Sequence, residues 1–143
     1  MTDVTFTATT KASPEAVSAF LADPRNAMQW LKNLEQVEVV SGEPGTVGAR
    51  YVLHVDAGFG RTKPSDYEVT EVSATRVRAT PHALNAQGHE TVELLPVDGG
   101  TELRYLGEVE LQGISKLATP FTGFLVHQNI DEEALVARLD ELA

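Results

Sequence analysis

Chemistry in this chain has to come from a short inventory. There are four histidines (His54, His82, His89 and His127), three tyrosines, one tryptophan and no cysteine. Without cysteine there is no disulfide, no thiolate nucleophile and no sulfur-ligated zinc. No two histidines are close enough to supply paired ligands from one element. His89-Glu90 starts as the helical zinc-protease motif does, but Glu93 stands where the second histidine must be. That segment also reads as a strand, which would throw the ligands apart. No metal site and no cofactor are expected. Gly42-Glu43-Pro44-Gly45 and Gly58-Phe59-Gly60 each join strand to strand, so they read as turns and not as phosphate cradles, which need a following helix N-terminus. There is no Gly-x-Ser-x-Gly elbow.

What remains is a polar set on apolar faces. Tyr51, Tyr67 and Tyr105 share the parity of the apolar residues in their strands, as does Leu53 beside Tyr51. Each tyrosine has two readings: core packing with the hydroxyl at the sheet margin, or a cavity wall bringing a polar atom into an oily space. Glu90, in step with Val92 and Leu94, is the one carboxyl with an inward reading. Trp30 lies on a short helix, where it is either a core anchor or part of a cavity lining. Phe121 and Leu125 belong to the apolar stripe of the C-terminal segment, with the polar Gln128 on or near it. His82 and Asn85 fall in the Pro81 to Gly88 stretch, read as a connection that either gates a cavity or is simply solvated.

The elements that must position these residues follow from periodicity. Val4, Phe6 and Ala8 alternate with threonines, a strand with one apolar face. Ser13-Pro14-Glu15 then reads as an N-cap, a first-turn proline and an acid at the positive helix end. Asp23-Pro24 stops that helix and can cap a second short one carrying Met28, Trp30 and Leu31. From Leu34 to Leu111 the pattern is about six strands divided by turns, Asp98-Gly99-Gly100 being the strongest hairpin signal. Leu103, Tyr105, Gly107, Val109 and Leu111 face one way, and Glu102, Arg104, Glu108 and Glu110 the other, which predicts a sheet with one wet and one covered face. Leu117, Phe121, Phe124, Leu125, Leu135, Leu139 and Leu142 recur at helical spacing and supply the cover. Thr119-Pro120 marks a start for a long terminal helix to Leu142. Asn129 with Glu132 three later offers a second start, so a break there stays open.

At 143 residues, with 42% hydrophobic and 22% charged residues, the chain has material for one core. Eleven Lys and Arg against 21 Asp and Glu give a formal net charge of −10, with no basic run. Such a surface repels phosphate backbones and anionic lipids, so nucleic acid is not an expected partner. No window approaches ~20 consecutive apolar residues, so no transmembrane segment is expected. Met1 to Thr10 lacks the basic patch and apolar stretch of a signal peptide, which makes a cytoplasmic location the expectation.

The order strand, two short helices, six antiparallel strands, long terminal helix resembles the helix-grip α+β fold of the START-like (SRPBCC) superfamily. Ser13-Pro14-Glu15-Ala16-Val17, the Trp30 region, Val47-Gly48-Ala49-Arg50-Tyr51 and Tyr67-Glu68-Val69-Thr70-Glu71-Val72 carry the resemblance, which is nearest to small bacterial polyketide cyclase/dehydrase-like members and covers residues 1–143 as one domain. It implies a sheet curled around the last helix with a cavity between them. It also implies that Trp30, Tyr51, Leu53, Tyr67, Glu90, Tyr105, Phe121, Leu125 and Gln128 bind a small hydrophobic or amphipathic molecule: a lipid, quinone or aromatic metabolite. The alternative is an enzyme of the polyketide cyclase/aromatase or dehydrase type, needing an acid or base poised in an apolar cavity. Arg76 and Arg78, which would polarise a carbonyl, have outward parity, and that leans towards binding.

Overall fold

The computed structural model describes residues 2–32, 34–58, 60–83, 86–111 and 130–143. Seven strands form one curved antiparallel sheet: β1 (Thr2–Thr10), β2 (Leu34–Ser41), β3 (Arg50–Gly58), β4 (Arg61–Val72), β5 (Arg76–Ala83), β6 (Ala86–Val97) and β7 (Gly100–Leu111). Their order is β1-β7-β6-β5-β4-β3-β2. Six strands therefore meander in sequence, and β1 returns beside the last of them. The turns are cut by residue type. Between β6 and β7, Gly99 takes φ 80°, a left-handed conformation that costs a glycine little.

Helix α1 (Pro14–Ala22) starts as its residues dictate. The Ser13 hydroxyl accepts from the Ala16 amide, Pro14 occupies the first turn, and Glu15 meets the positive end of the helix. Asp23 ends α1 and caps a 3₁₀ helix (Pro24–Gln29), accepting from the Arg25 amide. Val17, Ala12, Leu94, Leu103, Leu135 and Leu139 make the main buried cluster, with Phe6, Phe20, Leu21 and Trp30 packed around it. This is the helix-grip arrangement, with the first helices and the terminal helix gathered on one face of the sheet. No helix among the described residues is long and apolar enough to cross a membrane.

The structure answers one point the sequence left open and departs from the sequence reading in another. The terminal segment is not helical at Ile130 and Asp131. Ile130 pairs with Leu31 in an isolated bridge, the Asp131 amide donates to the Trp30 carbonyl, and Asp131 is extended (φ −97°, ψ 92°). Helix α2 (Glu132–Asp140) begins afresh there, capped by the Asp131 carboxylate, which accepts from Ala134. A cap must itself be non-helical, so a carboxylate used this way ends any helix arriving from upstream. A helix start near Asn129, left open by the sequence, is thus present at Glu132 with Asp131 as its cap. The departure is the Pro81 to Gly88 stretch. It is mostly strand, because β5 runs to Ala83 and β6 restarts at Ala86. His82 pairs in register with Asp66 on one side and Gln87 on the other. Its Gly and Pro suggested a loop, but ladder pairing from both neighbours outweighs that local preference. Asn85, Phe121, Leu125, Gln128 and the start at Pro120 lie outside the described residues.

Candidate ligand-binding site

Strand register brings three side chains from distant sequence to one point. Glu90 on β6 is directly opposite Gly107 on β7, and Tyr105 is two residues before that glycine on the same face. Tyr67 reaches the same point from β4. The Tyr67 hydroxyl donates to Glu90 Oε2 at 2.6 Å and the Tyr105 hydroxyl donates to Oε1 at 3.0 Å. A carboxylate receiving a proton from each of two phenols is acting as acceptor only, the pattern of the ionised form.

Gly107 makes this possible. A Cβ built there would lie 3.0 Å from Tyr105 Oη and 3.2 Å from Cε1. The Tyr105 ring therefore leans across its own strand into the space that any other residue would fill. Its opposite neighbour, Phe6 on β1, stacks on it with centroids 4.9 Å apart and planes 15° from parallel, a geometry worth roughly 0.5–1.5 kcal/mol beyond area burial. Stacking and the missing side chain together set where the hydroxyl points.

The electrostatics follow from the walls. Burial is the largest cause pushing the Tyr67 and Tyr105 hydroxyls well above the ordinary phenol pKa, and the negative charge of Glu90 and its hydrogen bonds add to it. Both phenols remain neutral donors throughout the neutral range. Beside Glu90 and Tyr67 lies a chamber of about 50 Å³. Its sheet wall includes Leu53, and its other wall comes from α1 and the 3₁₀ helix through Phe20, Leu21, Ala27, Trp30 and Leu31. Asp23 and Pro24 complete the rim. Next to it, an apolar recess is lined by Phe6, Trp30, Val92, Tyr105 and Leu135. Trp30 borders both spaces.

Of the residues singled out by sequence, Trp30, Leu53, Tyr67, Glu90 and Tyr105 therefore come together. Tyr51 stands opposite Tyr67 on β3 and is buried with Ala49 and Val69 in a cluster against which Leu53 and Tyr67 pack. Its hydroxyl does not reach Glu90: it accepts from the Gly45 amide at 3.1 Å, pinning the β2–β3 turn. Arg76 and Arg78 face outward as their parity requires, lining a shallow outer depression with Arg104 and Glu93. His54 lies 3.3 Å from Glu38 across β2 and β3, and the exposed His89 lies 3.4 Å from the Thr80 hydroxyl. Among the described residues no group of His, Asp and Glu could hold a metal. Apart from Trp30, the helical wall was not picked out by sequence as part of a site, and neither was Gly107. Phe20 and Leu21 were visible only as the inner face of a helix, and Gly107 only as a small residue on an apolar strand face.

Comparison with known proteins settles the family. The model for polyketide cyclase/dehydrase and lipid transport proteins matches residues 1–142. The chain belongs to that family. Solved structures agree on the fold. A START superfamily protein from Mycobacterium smegmatis superposes with a TM-score of 0.76 at 16% identity, covering 99% of each chain. A protein from Thermus thermophilus gives 0.74 at 22% identity, covering 98% of this chain and 95% of that one. An aromatase/cyclase from a Streptomyces species gives 0.67 at 17% identity, covering 98% and 90%. At such identities the likeness is one of fold alone. No curated protein matches the sequence.

Proposed function

We propose that this family member binds a small hydrophobic or amphipathic ligand in the space between the sheet and the helices covering it. The observation that carries this reading is the Glu90 carboxylate, held by Tyr67 and Tyr105 and facing a chamber whose other walls are mostly apolar, with Asp23 at its rim. A few convergent polar atoms in an apolar space is what ligand sites are made of. The ligand's apolar body would pack on Phe20, Leu21, Trp30 and Leu53, with its polar end at Glu90. Ordinary ligand pockets start at roughly 300 Å³, and this chamber holds about 50 Å³. Binding of anything as large as an aromatic ring therefore requires the wall built from α1 and the 3₁₀ helix to move away from the sheet wall.

The same carboxylate supports a second reading, the cyclase or dehydrase. There Glu90 would take a proton from the carbon next to a ketone, the C–H pair would form the enolate double bond, and a tyrosine hydroxyl would donate to the enolate oxygen. That route asks Glu90 to exchange its role as acceptor of two phenol hydrogen bonds for that of a proton carrier. Binding needs no such exchange, and is preferred.

Native mass spectrometry of the purified protein, paired with titration of a small apolar fluorophore followed through Trp30 emission, separates the outcomes. A specific co-purified mass or saturable binding supports the site, and bound ligand should stabilise the fold by about 2.7 kcal/mol at a hundredfold excess over Kd. Tyr105→Phe should weaken a ligand that hydrogen-bonds there by ~1 kcal/mol and leave a purely apolar one nearly unchanged. Turnover of a poly-β-ketone mimic would favour the enzyme. No bound mass and no saturable binding would overturn both.

A further inference from the structure

Glu90 is a half-buried carboxylate with no counter-charge among the described residues. Its hydrogen bonds come from two neutral phenols, and it forms no ion pair among the described residues. Charges taken out of water are normally paired, because the desolvation cost is otherwise unreturned. Hydroxyl donors offset part of that cost but leave the net charge in place.

The described lining of the chamber supplies no cation either. Among the described residues that line it there is no Lys, Arg or His. Its other carboxylate, Asp23, is already neutralised: Arg25 Nη2 lies 2.6 Å from Oδ2, and Nε bonds both oxygens at 3.0 and 3.1 Å. Asp23 thus neither cancels Glu90 nor competes with it. The remaining walls include the aromatic groups of Phe20, Trp30 and Tyr67. Aromatic faces carry a negative quadrupole that attracts cations, indole most strongly. Low-polarity walls strengthen any charge–charge interaction formed within them. An unbalanced carboxylate and aromatic walls favour the same sign of charge.

Resting on the binding reading above, we propose that the ligand of this chamber carries a cationic nitrogen, a protonated amine directed at Glu90, and that carboxylates and phosphates are rejected. The ammonium would supply the missing counter-charge, donating to lone pairs of Glu90 that the tyrosines leave free, with its hydrocarbon against Trp30 and Leu53. Each carboxylate has about four lone-pair sites, so two phenol bonds leave room for a third donor. A fatty acid would place its anion against Glu90, and like charges in a low-dielectric space repel strongly. This narrows the earlier expectation of a lipid, quinone or aromatic metabolite to the basic members of such classes.

Three ligands of one skeleton test it: benzylamine, benzyl alcohol and benzoate, titrated at neutral pH and read by Trp30 emission and melting temperature. Benzylamine should bind at least about tenfold more tightly than benzyl alcohol, which offers a donor without charge, and benzoate should not bind. Glu90→Gln should erase the preference for the amine over the alcohol. The wild-type comparison decides the question even where that variant fails to fold. Equal binding of amine and alcohol, or any preference for benzoate, overturns the charge assignment and leaves the cavity standing. Failure of all three to bind overturns the cavity reading and this proposal with it.

Discussion

Tyr67 and Tyr105 hold their protons because a buried phenolate would lose hydration, and it would also stand beside the negative charge of Glu90. An acid whose folded pKa lies above its unfolded value of 10.0 contributes stability that is complete below that pH. The contribution is lost as pH rises through the folded value. Spectrophotometric titration should therefore find two of the three phenolate signals appearing only together with alkaline unfolding. Glu90→Gln removes the neighbouring charge and leaves the burial, which is the larger cause. The onset should fall in that variant and still exceed the ordinary phenol value. Two phenols titrating normally in the folded protein would show that their hydroxyls meet solvent, and the polar centre of the chamber would be lost with them.

At the scale of the element, β7 carries two glycines with opposite meanings. A Cβ on Gly100 would sit 1.9 Å from the Thr10 carbonyl oxygen and 2.9 Å from the Lys11 Cα, both backbone. Nothing there can turn aside, so Gly100→Ala must shift β1 where it leaves the sheet. A cost of about 1–3 kcal/mol or more is expected, measurable by urea unfolding. A Cβ on Gly107 meets only the Tyr105 ring, at 3.0 Å and beyond. A ring can tilt by a few tenths of an ångström. Gly107→Ala should accordingly keep most of the stability while lengthening the 3.0 Å bond from Tyr105 to Glu90, and ligand affinity should fall more than stability does. Equal losses of stability at the two positions would count against this division of labour.

Across the whole molecule, one carboxylate ties the two ends of the fold. Asp140, closing α2, accepts from the Thr10 hydroxyl at 2.6 Å and the Lys11 amide at 2.9 Å. A few residues away the Thr101 hydroxyl donates to the Ala12 carbonyl at 2.7 Å, so β1, β7 and α2 meet at one corner. The Thr10 and Lys11 hydrogen bonds hold the Asp140 pKa below its ordinary 3.8. A depressed carboxylate contributes stability above its unfolded pKa and loses it as pH falls through the folded one. Asp140→Asn should thus be less stable than the parent at about pH 7, and the difference should narrow as acid protonates the parent's own Asp140. A difference that stays constant down to the acid transition would mean that the carboxylate's charge plays no part in the tie.

Sequence by itself determined what depends on neighbours along the chain. The Ser13 and Asp23 caps, the alternation of β7 and the Asp98-Gly99 turn are local, and the order of elements along the chain followed from the changes of period. Parity was enough to place Leu53, Tyr67, Glu90 and Tyr105 on the covered face. It could not say which of them meet, because one face of a seven-strand sheet is far wider than a side chain's reach. Only the tertiary structure decided that Tyr67 and Tyr105 converge on Glu90 while Tyr51 turns away to Gly45. That choice rests on register between strands far apart in sequence and on a glycine placed opposite a glutamate. The start of α2 had the same origin. The sequence offered Asn129 with Glu132 three later, and the cap is Asp131, next to Ile130, which pairs with Leu31 across the fold. Residue types along the chain specify which groups can act as caps, donors and charges; the long-range pairing of backbone specifies which of them are used, since only that pairing brings their atoms within bonding distance.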